Sequence, residues 1–301
     1  MGRTKSLTGD SVNTEAYVNK VQSKSDSKVI LFYYPSMRSF LLHSEILSQH
    51  PNLFDCVIEM PAVPYSRSKG KRNIKKIIKT LFDCPRFFVM SFITIKVYSL
   101  LSGLFKTSIK DICETNNIEH YSYKKIDVDL ISFMSSRKPI WIISSTSALL
   151  TKEFLKVPSL GVINFHEAPL PKYRGSASYF WFIVNDEKYV NTTVHYVVEK
   201  LDAGPIIFEG PKVPVSQPTV FSLWLEMLLS YKTSWEYILP YLIDGRRIPS
   251  IPQSTSNFKE YSYPDRTSIN AFGKKIVFFN FENIKCVFNV AMQGMKKIKR
   301  L

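Results

Sequence analysis

Cysteine is scarce and unpatterned in this chain of 301 residues: Cys56, Cys84, Cys113 and Cys286 form no CxxC pair and have no histidine at metal-ligand spacing. That argues against a zinc site and a disulfide framework, and points to a reducing, cytoplasmic setting with no metal. Residues 1–27 contain no apolar core of the kind a signal peptide needs, and read as a flexible leader. No GxGxxG follows the first apolar run, which removes the dinucleotide fingerprint and with it the usual oxidoreductase reading. No GxSxG is present either, so the serine elbow of a hydrolase is missing. The longest apolar stretch, Leu81 to Phe105, is interrupted by Asp83, Pro85, Arg86 and Lys96. Nine apolar or small residues stand on each side of Lys96, short of the ~20 that cross a bilayer. A packed helical hairpin or a basic amphipathic helix on an anionic membrane face is the expectation there. Acidic residues are also in deficit, with 25 Asp and Glu against 40 Lys and Arg, a formal charge of +15. That suits an anionic partner, whether nucleic acid, phosphorylated metabolite or membrane, and it equally describes a solvated basic surface.

What the chain does have is the composition of a folded, enzyme-sized body, 45% hydrophobic and 22% charged. Lys28 to Pro35 (KVILFYYP) reads as a strand, the segment through His50 as a helix, and FDCVIEMP as a second strand. After a basic stretch in which seven of the fourteen residues from Arg67 to Thr80 are Lys or Arg, the pattern continues. IKDICETNNI is a helix, IEHYSY a short strand, VDLISFMSSRK a helix, and PIWIISST and GVINFH are apolar strands buried on both faces. This alternation predicts an α/β fold with a mostly parallel sheet. Beyond it SASYFWFIVNDEK reads as a helix, NTTVHYVVEK and PIIFEG as partners across an LDAG turn, and Val220 to about Leu242 as one long helix. The Pro-, Ser- and Tyr-rich remainder, residues 246–301, reads as a small irregular appendage to a body spanning 28–245 with a basic and apolar insertion at 66–110.

Three polar residues stand at the carboxyl ends of strands, where open α/β sheets hold ligands: Asn164, His166 and Asp202. Period-two alternation places Asn164 and His166 on one side of their strand. An Asn amide can donate to an oxyanion, a His exchanges protons near neutral pH, and a neighbouring carboxylate orients that His, a set suited to acyl transfer onto an amine the substrate supplies. Singly, each residue has a plainer explanation: Asn-x-His after a strand makes loop hydrogen bonds, and Asp before Ala-Gly forms turns. His43, His50 and His120 lack this setting and read as surface or core histidines.

The run NFHEAPLPKYRG followed by TTVHYVVEKLDAGPIIFE resembles the folate-dependent formyltransferases, whose pattern is Asn-x-His, Leu-Pro-x-aromatic-basic-Gly and a distant Asp-x-Gly. Here these are Asn164, His166, Leu170, Pro171, Tyr173, Arg174, Gly175, Asp202 and Gly204, with the clear similarity running from Ile140 to Gly210. The resemblance implies a Rossmann-like catalytic fold and transfer of a formyl group from 10-formyltetrahydrofolate. In it Asn164 would donate to the oxyanion of the tetrahedral intermediate, His166 would act as acid and base, and Asp202 would assist proton movement. It further implies a pterin site at Ala148, Leu149, Leu150 and Leu155, then Val197, Val198 and Glu199. His195 matches a family histidine and suits a cross-strand structural role equally well. Tyr173 and Arg174 are candidates for the acceptor side, Arg174 either holding the loop or meeting an anion.

There are departures. Ala168 stands where the family often has Ser, and the methionyl-tRNA branch's Gly-Thr-Pro turn and nucleic-acid-binding domain are not evident, which weighs against tRNA. The insertion and the segment SYPDRT (Ser262 to Thr267) resemble formyltransferases of surface-polysaccharide pathways, so the expected acceptor is a nucleotide-linked amino sugar rather than nucleic acid. An amino-acid or hydroxyornithine-type acceptor and a non-catalytic folate- or anion-binding scaffold stay open, as do a homodimer and peripheral membrane contact through 66–110.

Overall fold

The computed structural model of the chain describes residues 28–61, 82, 85–146, 150–254, 258–272 and 276–293. The leader, residues 66–81 and 83–84 of the insertion, and Ala148 and Leu149 therefore lie outside the described residues.

A seven-stranded sheet runs in the order β3-β2-β1-β4-β5-β8-β9. Its strands are β1 (Val29–Tyr33), β2 (Phe54–Glu59), β3 (Glu119–Ser122), β4 (Trp141–Ser145), β5 (Gly161–His166), β8 (Thr193–Tyr196) and β9 (Ile206–Glu209). The first five are parallel, whereas β8 is antiparallel to β5 and to β9; outside this sheet, short β7 (Tyr189–Val190) and β10 (Val213–Pro214) pair antiparallel. The parallel strands are apolar runs because helices cover both faces; every residue of β1 and β4 is buried. Strand order reverses between β1 and β4, since successive strands step outward from β1 on one side and from β4 on the other. At such a switch point the carboxyl ends of neighbouring strands open a crevice.

Helix α1 (Met37–Gln49) starts from Ser36, whose side chain accepts from the Ser39 amide. The expected hairpin is instead one rod: α2 (Pro85–Phe92), a π-helical segment (Ile93–Val97) and α3 (Tyr98–Leu104) follow without a turn. Buried Met90, Thr94, Tyr98 and Ser102 recur every fourth residue, so one face of the rod is built into the body. Phe88–Thr115 is long and apolar enough to cross a membrane by length and composition. It carries Lys96, and a turn breaks it before α4 (Ile109–Thr115), which Ser108 and Asp111 start with a capping box. Helices α5 (Val128–Arg137), α6 (Lys152–Leu155) and α7 (Ser178–Val184) follow their strands as the alternation predicts.

The single long helix expected from Val220 is two, α8 (Val220–Leu229) and α9 (Tyr231–Ile243), meeting at Ser230. The last fifty or so residues are also more than an irregular appendage. Ile251 bridges Ile206, and β11 (Lys259–Tyr261) pairs with β6 (Tyr173–Gly175) in parallel. After α10 (Arg266–Phe272), helix α11 (Phe281–Gln293) sends Val287, Val290 and Ala291 into the main hydrophobic core. Alternation could not show this, because β11 is three residues long and its partner lies in a loop.

Candidate active site

Strand β5 ends in Asn164-Phe165-His166, with Phe165 turned into the core beneath Trp235 and Tyr231. The two polar residues face the other way, into a cavity of about 280 Å3 at the carboxyl edge of the sheet. Antiparallel β8 sets His195 opposite Asn164 in register. His195 Nδ1 is 2.8 Å from the Tyr196 carbonyl, which can only accept, so that nitrogen carries the proton and Nε2 is an acceptor. The Asn164 amide, 3.1 Å away, therefore donates to His195 Nε2. Burial drives the His195 pKa down to about 4 against the opposing pull of Asp202, which keeps the ring neutral and the bond intact at physiological pH.

His166 is oriented from the loop rather than by the expected carboxylate. Its Nε2 lies 2.8 Å from the Tyr173 carbonyl and donates to it, leaving Nδ1 without a proton in the neutral ring. Nδ1 faces Asp202 Oδ2 at 3.8 Å, beyond hydrogen-bond reach but within ion-pair distance once His166 is protonated. Asp202 stands 3.8 Å from His195 Nε2 as well. It adopts the left-handed backbone conformation, φ +45°, uncommon for a residue with a side chain. Two bonds hold it there: its Oδ2 accepts from the Gly175 amide at 2.9 Å, and its carbonyl accepts from the Gln253 side chain at 2.8 Å.

The loop from Glu167 to Gly175 has a built role. Thr193 Oγ1 donates to the Ala168 carbonyl and accepts from the Leu170 amide, and the Leu170–Pro171 peptide is cis. Ala168 itself is fully buried. Tyr173 and Arg174 lie behind the cavity wall, not in it. The Tyr173 ring is buried against Phe182 and Tyr261 with its hydroxyl donating to Glu187. Arg174, 2% exposed, grips Gln253 Oε1 through Nη2 at 2.7 Å. Gln253 in turn clamps the Asp202 and Gly204 carbonyls, so Arg174 holds the Asp202 turn and does not face a ligand.

Leu150, Val197, Val198, Glu199 and Leu201 give the cavity a largely apolar stretch of lining alongside the polar trio. Leu155 packs in the core and does not line the cavity. A flat heteroaromatic ring fits this chemistry, with apolar side chains for its faces and hydrogen-bonding groups at the reacting end. The rest of the lining was marked in the sequence only in part. It is made by Tyr34, Ser36 and Arg38 after β1, by Met90, Ser91, Thr94 and Ile95 of the α2 rod, and by Glu167, Tyr179, Trp224 and Tyr263. Arg38 pairs with Glu167 and also donates to the Phe165 carbonyl at 2.8 Å, tying the first turn of α1 to the end of β5. Burial raises the phenol pKa of Tyr34, Tyr179 and Tyr263, the last to about 12, so all three are neutral hydroxyls. Tyr263 belongs to the SYPDRT segment, and Met90, Ser91, Thr94 and Ile95 to the insertion, the two stretches whose resemblance pointed to the acceptor. Among the described residues no group of three or more His, Cys, Asp or Glu could hold a metal ion.

Comparison with known proteins agrees with this architecture. Residues 106–219 match the family model described as formyl transferase. The chain is 31% identical over 157 residues to a methionyl-tRNA formyltransferase of Clostridioides difficile, covering 52% of this chain and 50% of that protein. It spans about half the length of the curated relatives it matches. Among solved structures, an N-formyltransferase from Helicobacter canadensis in complex with folinic acid and dTDP-3-aminofucose superimposes with a TM-score of 0.52 at 16% identity, over 87% of this chain and 80% of that one. A phosphoribosylglycinamide formyltransferase from Anaplasma phagocytophilum gives 0.50 at 18% identity, over 78% and 99%. At these identities the likeness is one of fold.

Proposed function

We propose that this chain, whose residues 106–219 match the formyl transferase family model, moves a formyl group from 10-formyltetrahydrofolate to the primary amine of a nucleotide-linked amino sugar. The observation that carries the reading is the convergence of Asn164, His166 and Asp202 in one cavity at the switch-point edge of the sheet. No protein nucleophile is needed when the acceptor brings an amine. The exchange replaces one amide by another: an acceptor N–H becomes N–formyl, and the proton ends on the folate nitrogen that loses the group.

Each residue has a task its surroundings suit. One Asn164 N–H is engaged by His195 and the other is left for the developing oxyanion. His166 presents Nδ1, the unprotonated nitrogen, to take a proton from the attacking amine. Asp202 stabilises the imidazolium so formed across 3.8 Å. The apolar lining of Leu150, Val197, Val198 and Leu201 would hold the pterin, and the tyrosine-bearing lining with Ser36 and Arg38 the acceptor.

Two facts support the sugar acceptor: the Helicobacter canadensis relative binds dTDP-3-aminofucose, and a net charge of +15 favours a diphosphate-bearing substrate. The curated relatives favour a second reading, methionyl-tRNA. Incubating the protein and formyl donor with amino-sugar nucleotides, amino acids and methionyl-tRNA, then weighing the products, separates them. A mass gain of one CO on an amino-sugar nucleotide is the expected result. Gain on methionyl-tRNA alone overturns the sugar assignment, and none on any amine overturns formyl transfer.

A further inference from the structure

The rod of α2 and α3 has a second face. Opposite its buried stripe, Val89, Phe92, Lys96, Leu100 and Leu104 follow one another at spacings of three and four, and Phe105 comes next. Phe92 is 51% exposed, Leu100 66% and Leu104 69%. Water-facing positions of a helix ordinarily carry charge; here they are apolar with a single lysine. Helix α11 packs beside α3, and the Thr107 hydroxyl donates to the Ala291 carbonyl at their common end. Its outer positions repeat the pattern, with Phe281, Lys285, Phe288 and Met292 all exposed on one helix face.

The charge along the rod itself has one sign, while on α11 Lys285 is paired with Glu282. From Pro85 to Lys110 there is no acidic residue, while Arg86, Lys96, Lys106 and Lys110 are exposed. In sequence, the rod is preceded by the stretch with seven Lys or Arg in fourteen residues, and α11 is followed by the tail KKIKRL. We propose that the outer face of α2–α3, with the outer face of α11, docks the protein on an anionic phospholipid bilayer. Apolar side chains enter the headgroup boundary while the cations meet lipid phosphates. A second copy of the chain is the poorer occupant, because it would bring the same cations against themselves. Since Met90, Ser91, Thr94 and Ile95 on the inner face line the cavity, docking would hold the active site about one helix diameter, ~10 Å, from the headgroups. The inference is independent of which amine is formylated.

The test is co-sedimentation of the full chain with vesicles of phosphatidylcholine, with and without phosphatidylglycerol. Binding is expected only to the anionic vesicles, weakening at high salt, and falling about tenfold or more in the double variant Phe92→Glu, Leu100→Glu. Thermal melting should be unchanged, which separates lost docking from lost folding. Should that variant melt early, Leu104→Ser with Phe288→Ser probes the same surface by removing apolar contact without adding charge. No binding to anionic vesicles, or equal binding by well-folded variants, overturns the proposal. So does self-association that the variants abolish while vesicles go unbound, which would give the face to a second copy.

Discussion

At the scale of single residues, the site depends on which atom holds which proton. In the proposed reaction Asn164 has one N–H on His195 and one for the oxyanion, so Asn164→Ala should lower kcat by about 100- to 1000-fold, the usual effect of losing one oxyanion donor. Single-turnover formylation with saturating donor is the measurement, and KM for the acceptor should barely move. His195 carries a pH prediction. Its pKa is lowered in the folded state by burial, to about 4 from an ordinary 6.5, so the unfolded chain binds the extra proton more readily. The stability it contributes is present above pH 6.5 and is lost as pH falls toward 4. Melting temperature followed across that window should drop more steeply for the native protein than for His195→Gln, which keeps an acceptor for Asn164 but does not titrate. Parallel curves would remove His195 as an acid-sensitive element.

At the scale of elements, the site is held from segments that sequence patterning placed outside the body. Gln253 joins Arg174 to the carbonyls of Asp202 and Gly204. Replacing it with Ala strands a buried guanidinium and two carbonyls, and Gln253→Ala should cost about 2–4 kcal/mol by denaturant unfolding, with kcat falling as Asp202 loses its anchor. Gly175 shows the same dependence. Its φ is +103°, and a Cβ there would come within 2.1 Å of the Tyr261 carbonyl oxygen across the β6–β11 pairing. Gly175→Ala is therefore expected to separate β11 from β6 and misplace the amide that binds Asp202, giving an unstable and inactive protein by circular dichroism and activity assay.

At the scale of the whole molecule, the charge of +15 acts on encounter rather than on chemistry. If the acceptor carries a diphosphate, its KM should rise several-fold on going from low to high salt while kcat stays level, because screening weakens long-range attraction more than close contacts. A salt-independent KM would argue for a neutral acceptor. The asymmetry of the surface, with one helical face apolar and no acidic residue from Pro85 to Lys110, is likewise a property of the assembled chain.

How much of this was legible beforehand follows from the range over which each signal acts. The parallel strands were legible because burial on both faces demands unbroken apolar runs, and Asn164 and His166 because an alternation of two puts them on one side of β5. Asp202 stood out by its place after a strand and as the first residue of the Asp-x-Gly motif. Hidden from any local pattern were Arg38, Glu167, Tyr34 and Trp224, ordinary residues until α1, α7 and α8 converge on the same crevice. The roles of Tyr173 and Arg174 were hidden too: the motif marked them, but whether a side chain points at a ligand or at Gln253 depends on a contact 79 residues away. Sequence alone determined the kind of sheet and the polar residues at its edge, since those follow from hydrophobic period and side-chain type. Tertiary structure decided which side chains enclose them and which merely hold them, since closure is made by contacts between segments that carry no imprint of one another.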